Sequence, residues 1–162
     1  MSWILVVCCF GSCSPTPPET AGHDSSEDEL AVLAAVQGFF DTMNSKDPQA
    51  ARRVLDPEGD FVSVRWNEAG ERIVRRAENI DYLEELRLET ETYLERMWDP
   101  EVRIHGPIAS VWTPYDFYID GEFSHCGVDV FQLLRQGEGW VITSGTYTVE
   151  RSGCPESPLG RP

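Results

Sequence analysis

Two residues able to move protons, His125 and Asp129, stand four positions apart in the segment Ser124-His125-Cys126-Gly127-Val128-Asp129-Val130-Phe131. The segment alternates like a β-strand, so a period of two puts His125, Gly127, Asp129 and Phe131 on one face and Cys126, Val128 and Val130 on the other. If the first face lines a pocket, burial raises the carboxyl pKa while the imidazole titrates near neutrality, which is the raw material of general acid-base chemistry. A plainer reading is structural. Asp129 then accepts hydrogen bonds from backbone or from Arg65, and His125 is a satisfied partner.

Other residues bear on the choice. Tyr115 and Phe117 share a strand face from which Trp112 points away; with Trp66 they could wall a binding site, although aromatic residues at strand spacing more often build a core. Arg65 sits in an otherwise apolar strand, where a cation needs a carboxylate, an anionic ligand or a solvated edge. His105 adjoins the turn at Gly106-Pro107, and His23 lies among Pro, Ser and Thr; isolated histidines of this kind give no metal signature. Gly137-Glu138-Gly139 is a turn without a phosphate-loop pattern, and no nucleophile motif accompanies it. Any chemistry expected here needs no cofactor and no metal.

The elements that must position these groups follow from the pattern. Ser25 or Ser26 caps a helix with an acidic first turn, Glu27 to Glu29, and an apolar stripe of Leu30, Leu33, Val36, Phe40 and Met43. Asn44 to Asp47 break it, and Pro48 opens a second short helix with Ala51, Val54 and Leu55 inward. After the turn-like Asp56-Pro57-Glu58-Gly59 come a strand to Trp66, a turn at Glu68-Ala69-Gly70, a strand at Ile73-Val74, and a third helix burying Ile80, Leu83 and Leu86, with Tyr82 near a pocket mouth. Strands are then expected at Tyr93 to Trp98, Val102 to Tyr118, Glu122 to Leu134 and Trp140 to Val149, parted by hairpin residues Asp99-Pro100, Asp120-Gly121 and Gly137 to Gly139. Helices first and an antiparallel meander last indicate an α+β domain over residues 28–151.

The chain has 162 residues, enough for one core, and its 13 Lys plus Arg against 28 Asp plus Glu give a net charge of -15, the wrong sign for a nucleic-acid backbone. Trp3 to Phe10 form a short apolar block before Gly11, Ser12 and Cys13, the order of an export signal over residues 1–13. Residues 14–27, SPTPPETAGHDSSE, have the composition of a disordered tether, and residues 152–162 that of a flexible tail. Cys126 and Cys154 can pair in an oxidising compartment; equally, Cys126 can be a small buried apolar residue of its strand.

Two resemblances add to this. Phe10-Gly11-Ser12-Cys13 resembles a bacterial lipobox, which implies a lipid anchor on Cys13, membrane attachment and a place in the cell envelope or periplasm, with secretion as the alternative. Ile108 to Phe117, Ser124 to Leu133 and Gly139-Trp140-Val141-Ile142, with Phe39-Phe40 and the Lys46-Asp47 turn, resemble the nuclear transport factor 2-like (NTF2-like) superfamily and its SnoaL-like branch. That likeness implies N-terminal helices packed on a strongly curved antiparallel sheet enclosing a conical pocket. Phe40, Arg65, Trp66, Tyr82 and Phe117 would line the pocket, and the expected occupant is a small, partly apolar ligand, or else the domain binds a protein partner. The alternative is a cofactor-independent isomerase, cyclase or hydratase with Asp129 and His125 as base and acid and Tyr115 orienting the substrate. The outer sheet face would mediate a homodimer.

Overall fold

The computed structural model describes residues 25–162; the apolar block, Cys13 and most of the segment expected as a tether lie outside the described residues. Helix α1 spans Ser25–Ser45 and α2 spans Pro48–Val54. The strands are β1 (Leu55–Trp66), β2 (Arg72–Glu78), β3 (Tyr93–Met97), β4 (Glu101–His105), β5 (Ile108–Ile119), β6 (Glu122–Gln136) and β7 (Gly139–Val149). Helix α3, Asn79–Glu85, continues into a single tight turn at Leu86–Leu88 and falls between β2 and β3.

Local chemistry explains the joints. Lys46 turns the chain with φ 53°, Asp47 accepts the backbone N–H of Gln49 at 2.9 Å, and Pro48 occupies the first turn of α2, where its missing N–H costs nothing. Asp120 and Gly121 both have positive φ, 51° and 81°, as the tight β5–β6 hairpin requires.

The strands form one sheet in the order β2-β1-β7-β6-β5-β3, with β4 also on β5 beyond β3. It is mixed, not antiparallel throughout: β1 runs parallel to β7, because the N-terminal half re-enters the sheet beside its last strand. The turn expected at Asp56 to Gly59 is instead the irregular start of β1, where the register to β7 shifts between Leu55 and Asp60 and the Asn79 amide donates to the Asp56 carbonyl at 2.7 Å. The single strand expected from Val102 to Tyr118 is two, folded back on itself at Gly106.

Helix α1 lies in the concave side. Its buried stripe is Val32, Ala35, Val36, Phe39, Phe40 and Thr42, whereas Leu30 is 69% exposed. The buried face is thus rotated from the expected one, and Phe39 takes the central place by packing on Phe61, Tyr82 and Phe131 at ring distances of 5.1, 5.7 and 6.2 Å. At the far end Arg135 ties the sheet to the first turns of α1 through Asp28 at 2.6 Å and stacks over Trp140 at 4.4 Å.

The C-terminal segment has tail composition but is fastened to the convex side. Cys154 is disulfide-bonded to Cys126, and Arg96 donates to the Gly160 carbonyl at 2.8 Å while gripping Asp116 with two hydrogen bonds of 2.9 and 2.6 Å. That cover is why Asp116 and Tyr118, on the outward side of β5, are buried. Trp112, on the same side but away from the segment, is 52% exposed.

Candidate functional site

The inner face of the sheet and the first and third helices enclose a cavity of about 270 Å³. Its floor is made of buried residues, Tyr115, Asp129 and Phe131; its rim includes the exposed Ala77, Glu78 and Glu89, which mark the mouth on the α3 side. The wall is largely aromatic, with Phe39, Phe61, Tyr82, Tyr93, Phe117 and Tyr147 among its members.

Two glycines make room for these rings. Tyr115 stands opposite Gly127, and an added Cβ there would lie 2.8 Å from the ring; Phe61 stands opposite Gly145, where a Cβ would lie 2.3 Å from the ring. Both rings can therefore lie flat against the neighbouring strand. Beside Gly127 two bonds reach β7: the Tyr115 hydroxyl of β5 crosses β6 and donates to the Thr148 carbonyl at 2.7 Å, and the Val128 N–H of β6 donates to the Thr148 hydroxyl at 3.1 Å.

Asp129 is 3% exposed, and its Oδ2 atom has no hydrogen-bond partner. Its other interaction is with Glu95 of β3, a carboxyl enclosed by protein apart from the cavity that it lines. Burial and the Asp129 charge hold Glu95 well above the usual carboxylate range. Burial pushes Asp129 up to about 7, a rise that the hydrogen bond from Glu95 partly opposes. Two carboxylates offer only acceptors, so a hydrogen bond between them means that they share a proton. Near neutrality the pair thus holds a proton donor and a proton acceptor side by side.

His125 does not join this pair. Its Nδ1 lies 3.0 Å from the Ser124 hydroxyl, its ring stacks on Phe117 at 4.8 Å, and burial, with help from Arg151, lowers it to about 4. At neutral pH it is an uncharged aromatic part of the wall.

The structure places the expected site residues in three groups. Asp129, His125, Tyr115, Tyr82 and Phe117 line the cavity. Tyr82 has its hydroxyl 3.2 Å from that of Thr42, and burial raises it to about 12. Tyr115, part of the cavity floor, gives its hydroxyl proton to the Thr148 carbonyl. Phe40 is core beside the cavity, its place on the wall taken by Phe39. Arg65 and Trp66, expected on the wall, lie elsewhere, in a surface groove with Ile73 and Arg151; Trp66 is 54% exposed, and neither touches Asp129. The end of β1 runs past the cavity, which is why neither reaches it.

Sequence reasoning missed Glu95 and Tyr147. Tyr93, Glu95 and Met97 alternate along β3, and Met97 packs on the core, so an acid on the apolar side of a strand was the available signal for Glu95. Tyr147 pairs with Asp129 across the β6–β7 ladder, and its hydroxyl bonds Ser63.

This arrangement of helices cupped by a sheet recurs in solved structures. An NTF2-like superfamily protein from Salmonella enterica matches with a TM-score of 0.61 at 14% identity, covering 82% of this chain and 99% of that one. The chain has the NTF2-like fold. An NTF2-like protein of unknown function from Silicibacter pomeroyi matches at 0.56 and 20% identity, over 79% of this chain and 100% of that one. A protein described as a candidate dehydratase of the NTF2-like family, from Streptomyces avermitilis, matches at 0.57 and 17% identity, over 76% and 96%. No family model matches the sequence, and no curated relative does. At such identities the likeness carries the NTF2-like fold and leaves the activity to be argued from the site.

Proposed function

We propose that this NTF2-like domain binds a small, partly apolar molecule inside its cone. The observation that carries the reading is the unpartnered Oδ2 of buried Asp129 at the floor of an aromatic cavity. A buried acceptor left without a donor costs about 1–3 kcal/mol, and a ligand bearing one donor group recovers it while burying its apolar body against the rings. The size, near the lower end of ligand sites, limits the occupant to about one or two rings.

Titration with indole, followed by shifts of the Phe117 and Tyr147 ring resonances, is expected to saturate. Ala77→Trp at the rim is expected to abolish those shifts. Binding unchanged by that plug would place the ligand elsewhere and end the reading.

A second reading is favoured by Asp129 being pushed up to about 7 beside Glu95. The ionised carboxylate can take a proton from carbon next to a carbonyl, and the protonated partner can return it to another atom or protonate a departing hydroxyl. That is cofactor-independent isomerase, cyclase or hydratase chemistry, with Glu95 rather than His125 as the partner of Asp129. The candidate dehydratase among the structural neighbours is in keeping with it. Its signature is hydrogen exchange into a bound ketone from deuterated water, lost in Asp129→Asn.

Export and anchoring through Cys13 belong to the same proposal. The Cys126–Cys154 disulfide supports an oxidising compartment, since such bonds seldom persist in a reducing one. A fatty-acid label is expected on the wild type and not on Cys13→Ala; equal labelling of both would remove the anchor.

A further inference from the structure

We propose that the cavity selects organic cations, a protonated amine or quaternary ammonium on a compact apolar body, over neutral and anionic molecules of the same shape. This rests on the reading of the cone as a small-molecule site and names the ligand class.

The first support is the charge of the lining. Glu78 and Glu89 stand at the rim and Glu95 and Asp129 at the floor, while no Lys or Arg is among the lining residues. An anion would meet four carboxyl groups and no counter-charge; a cation would meet charge complementarity from mouth to floor. The net charge of -15 adds a field that draws cations toward the same opening.

The second support is the wall. Phe39, Phe61, Tyr82, Tyr93, Phe117 and Tyr147 surround the space above the carboxyl pair. The faces of aromatic rings attract cations, and the attraction strengthens once water is excluded. Aromatic rings alone would admit any apolar guest; rings together with buried carboxyls favour a charged one.

The third support is the unfilled acceptor. Oδ2 of Asp129 lacks a partner, and two arginines of the sheet are engaged elsewhere: Arg96 grips Asp116 on the convex side, and Arg135 holds Asp28 at the far end of α1. A bound cation would supply the positive charge that the carboxyl pair does not receive from the protein. With that charge present the shared proton is no longer needed, so binding should expel it.

The pH dependence follows from the groups around Asp129. Glu95 faces it from β3, Tyr115 from β5, Tyr147 from β7 and His125 from its own strand, with Glu78 and Tyr82 across the cavity. Burial keeps the tyrosines protonated and His125 neutral through the working range. The carboxyl pair is therefore the group that changes charge near neutrality.

The test is calorimetry on the full domain with benzyltrimethylammonium, benzyl alcohol and benzoate at pH 6 and pH 8. The ammonium probe does not titrate, so any pH effect is the protein's. Expected are ammonium binding at least tenfold tighter than alcohol binding at pH 8, no benzoate binding, and a rise of about tenfold in ammonium affinity from pH 6 to pH 8 with proton release. Glu95→Gln, nearly isosteric, should weaken the ammonium at least tenfold more than it weakens the alcohol, and an unchanged melting midpoint at pH 6 separates lost charge from lost fold. Alcohol binding as tight as ammonium overturns the cation claim and leaves the cone as a ligand site. Failure of all three probes to bind at millimolar concentration also overturns it, and the indole titration then decides separately whether the cone binds anything.

Discussion

Gly127→Ala is expected to destabilise the domain by about 3 kcal/mol or more and to lower its thermal midpoint by roughly 10 °C. Gly127 lies on β6 where a Cβ would come within 2.1 Å of the Thr148 carbonyl oxygen and 2.8 Å of the Tyr115 ring. The first of these is backbone and cannot rotate away. It is also the oxygen that accepts the Tyr115 hydroxyl, so a methyl group there pushes β6 from β7 and breaks the bond by which β5 reaches across β6 to β7. The floor of the cavity would deform with the fold. Gly139→Ala is the control: the nearest atom to its Cβ would be 3.9 Å away, and a change within about 0.5 kcal/mol is expected. Thermal melts of the two variants, measured side by side, check the claim. Equal midpoints would mean that the strands yield at Gly127 and that the close approach there is not required.

The pattern of the sequence made part of this site visible. Alternation along β6 placed His125, Asp129 and Phe131 on one face, and all three line the cavity, while Cys126 on the opposite face meets the C-terminal segment. Local periodicity was enough because the question was local. The partner of Asp129 was a different matter. Glu95 belongs to a strand of five residues, and it meets Asp129 only because β3 lies on the far side of β5 in a curved sheet. Nothing in the text near either residue encodes that meeting. The parallel pairing of β1 with β7 was hidden for the same reason, since it joins residues 84 positions apart, as in Phe61 opposite Gly145. Arg65 and Trp66 show the converse error: an unusual residue in an apolar strand invited a site, but strand ends project beyond the pocket. The tail misled through composition, which says that a segment cannot bury much; it says nothing of a disulfide and an arginine that fasten it.

The buried carboxyl pair should also cost the fold stability as pH rises. Asp129 is pushed from its ordinary value of 3.8 up to about 7 by burial, and Glu95 is raised as well by burial and by the Asp129 charge. A group whose folded pKa lies above its unfolded pKa binds more protons in the folded state between the two values. In that window the unfolded state binds fewer protons, so stability falls with increasing pH and levels off above the folded pKa. The pair's own contribution is therefore full below about pH 4, declines through pH 7 and is flat beyond it. Each tenfold tightening of proton binding on folding corresponds to about 1.4 kcal/mol, so the decline amounts to a few kcal/mol. Tyr115 and Tyr147 stay protonated throughout and add no slope, whereas His125, lowered by burial from 6.5 to about 4, adds an opposite one: between those values the unfolded state binds its proton and the folded state does not, so stability rises there with pH. Chemical denaturation of the wild type and of the double variant Glu95→Gln with Asp129→Asn at pH 5 and pH 8 isolates the pair's effect, because the His125 contribution is common to both proteins and cancels in the difference. The double variant should lose the pair's downward slope and, at pH 8, melt on the order of 10 °C above the wild type. A stability difference between the two proteins that is the same at pH 5 and pH 8 would show that the pair is hydrated rather than buried, and that its proton is not held. A pair that weakens the fold at neutral pH, where two uncharged amides would not, is what the proposed binding role predicts, since functional sites commonly trade stability for activity. The same two substitutions that stabilise the domain should therefore empty its cavity of any ligand that uses the charge.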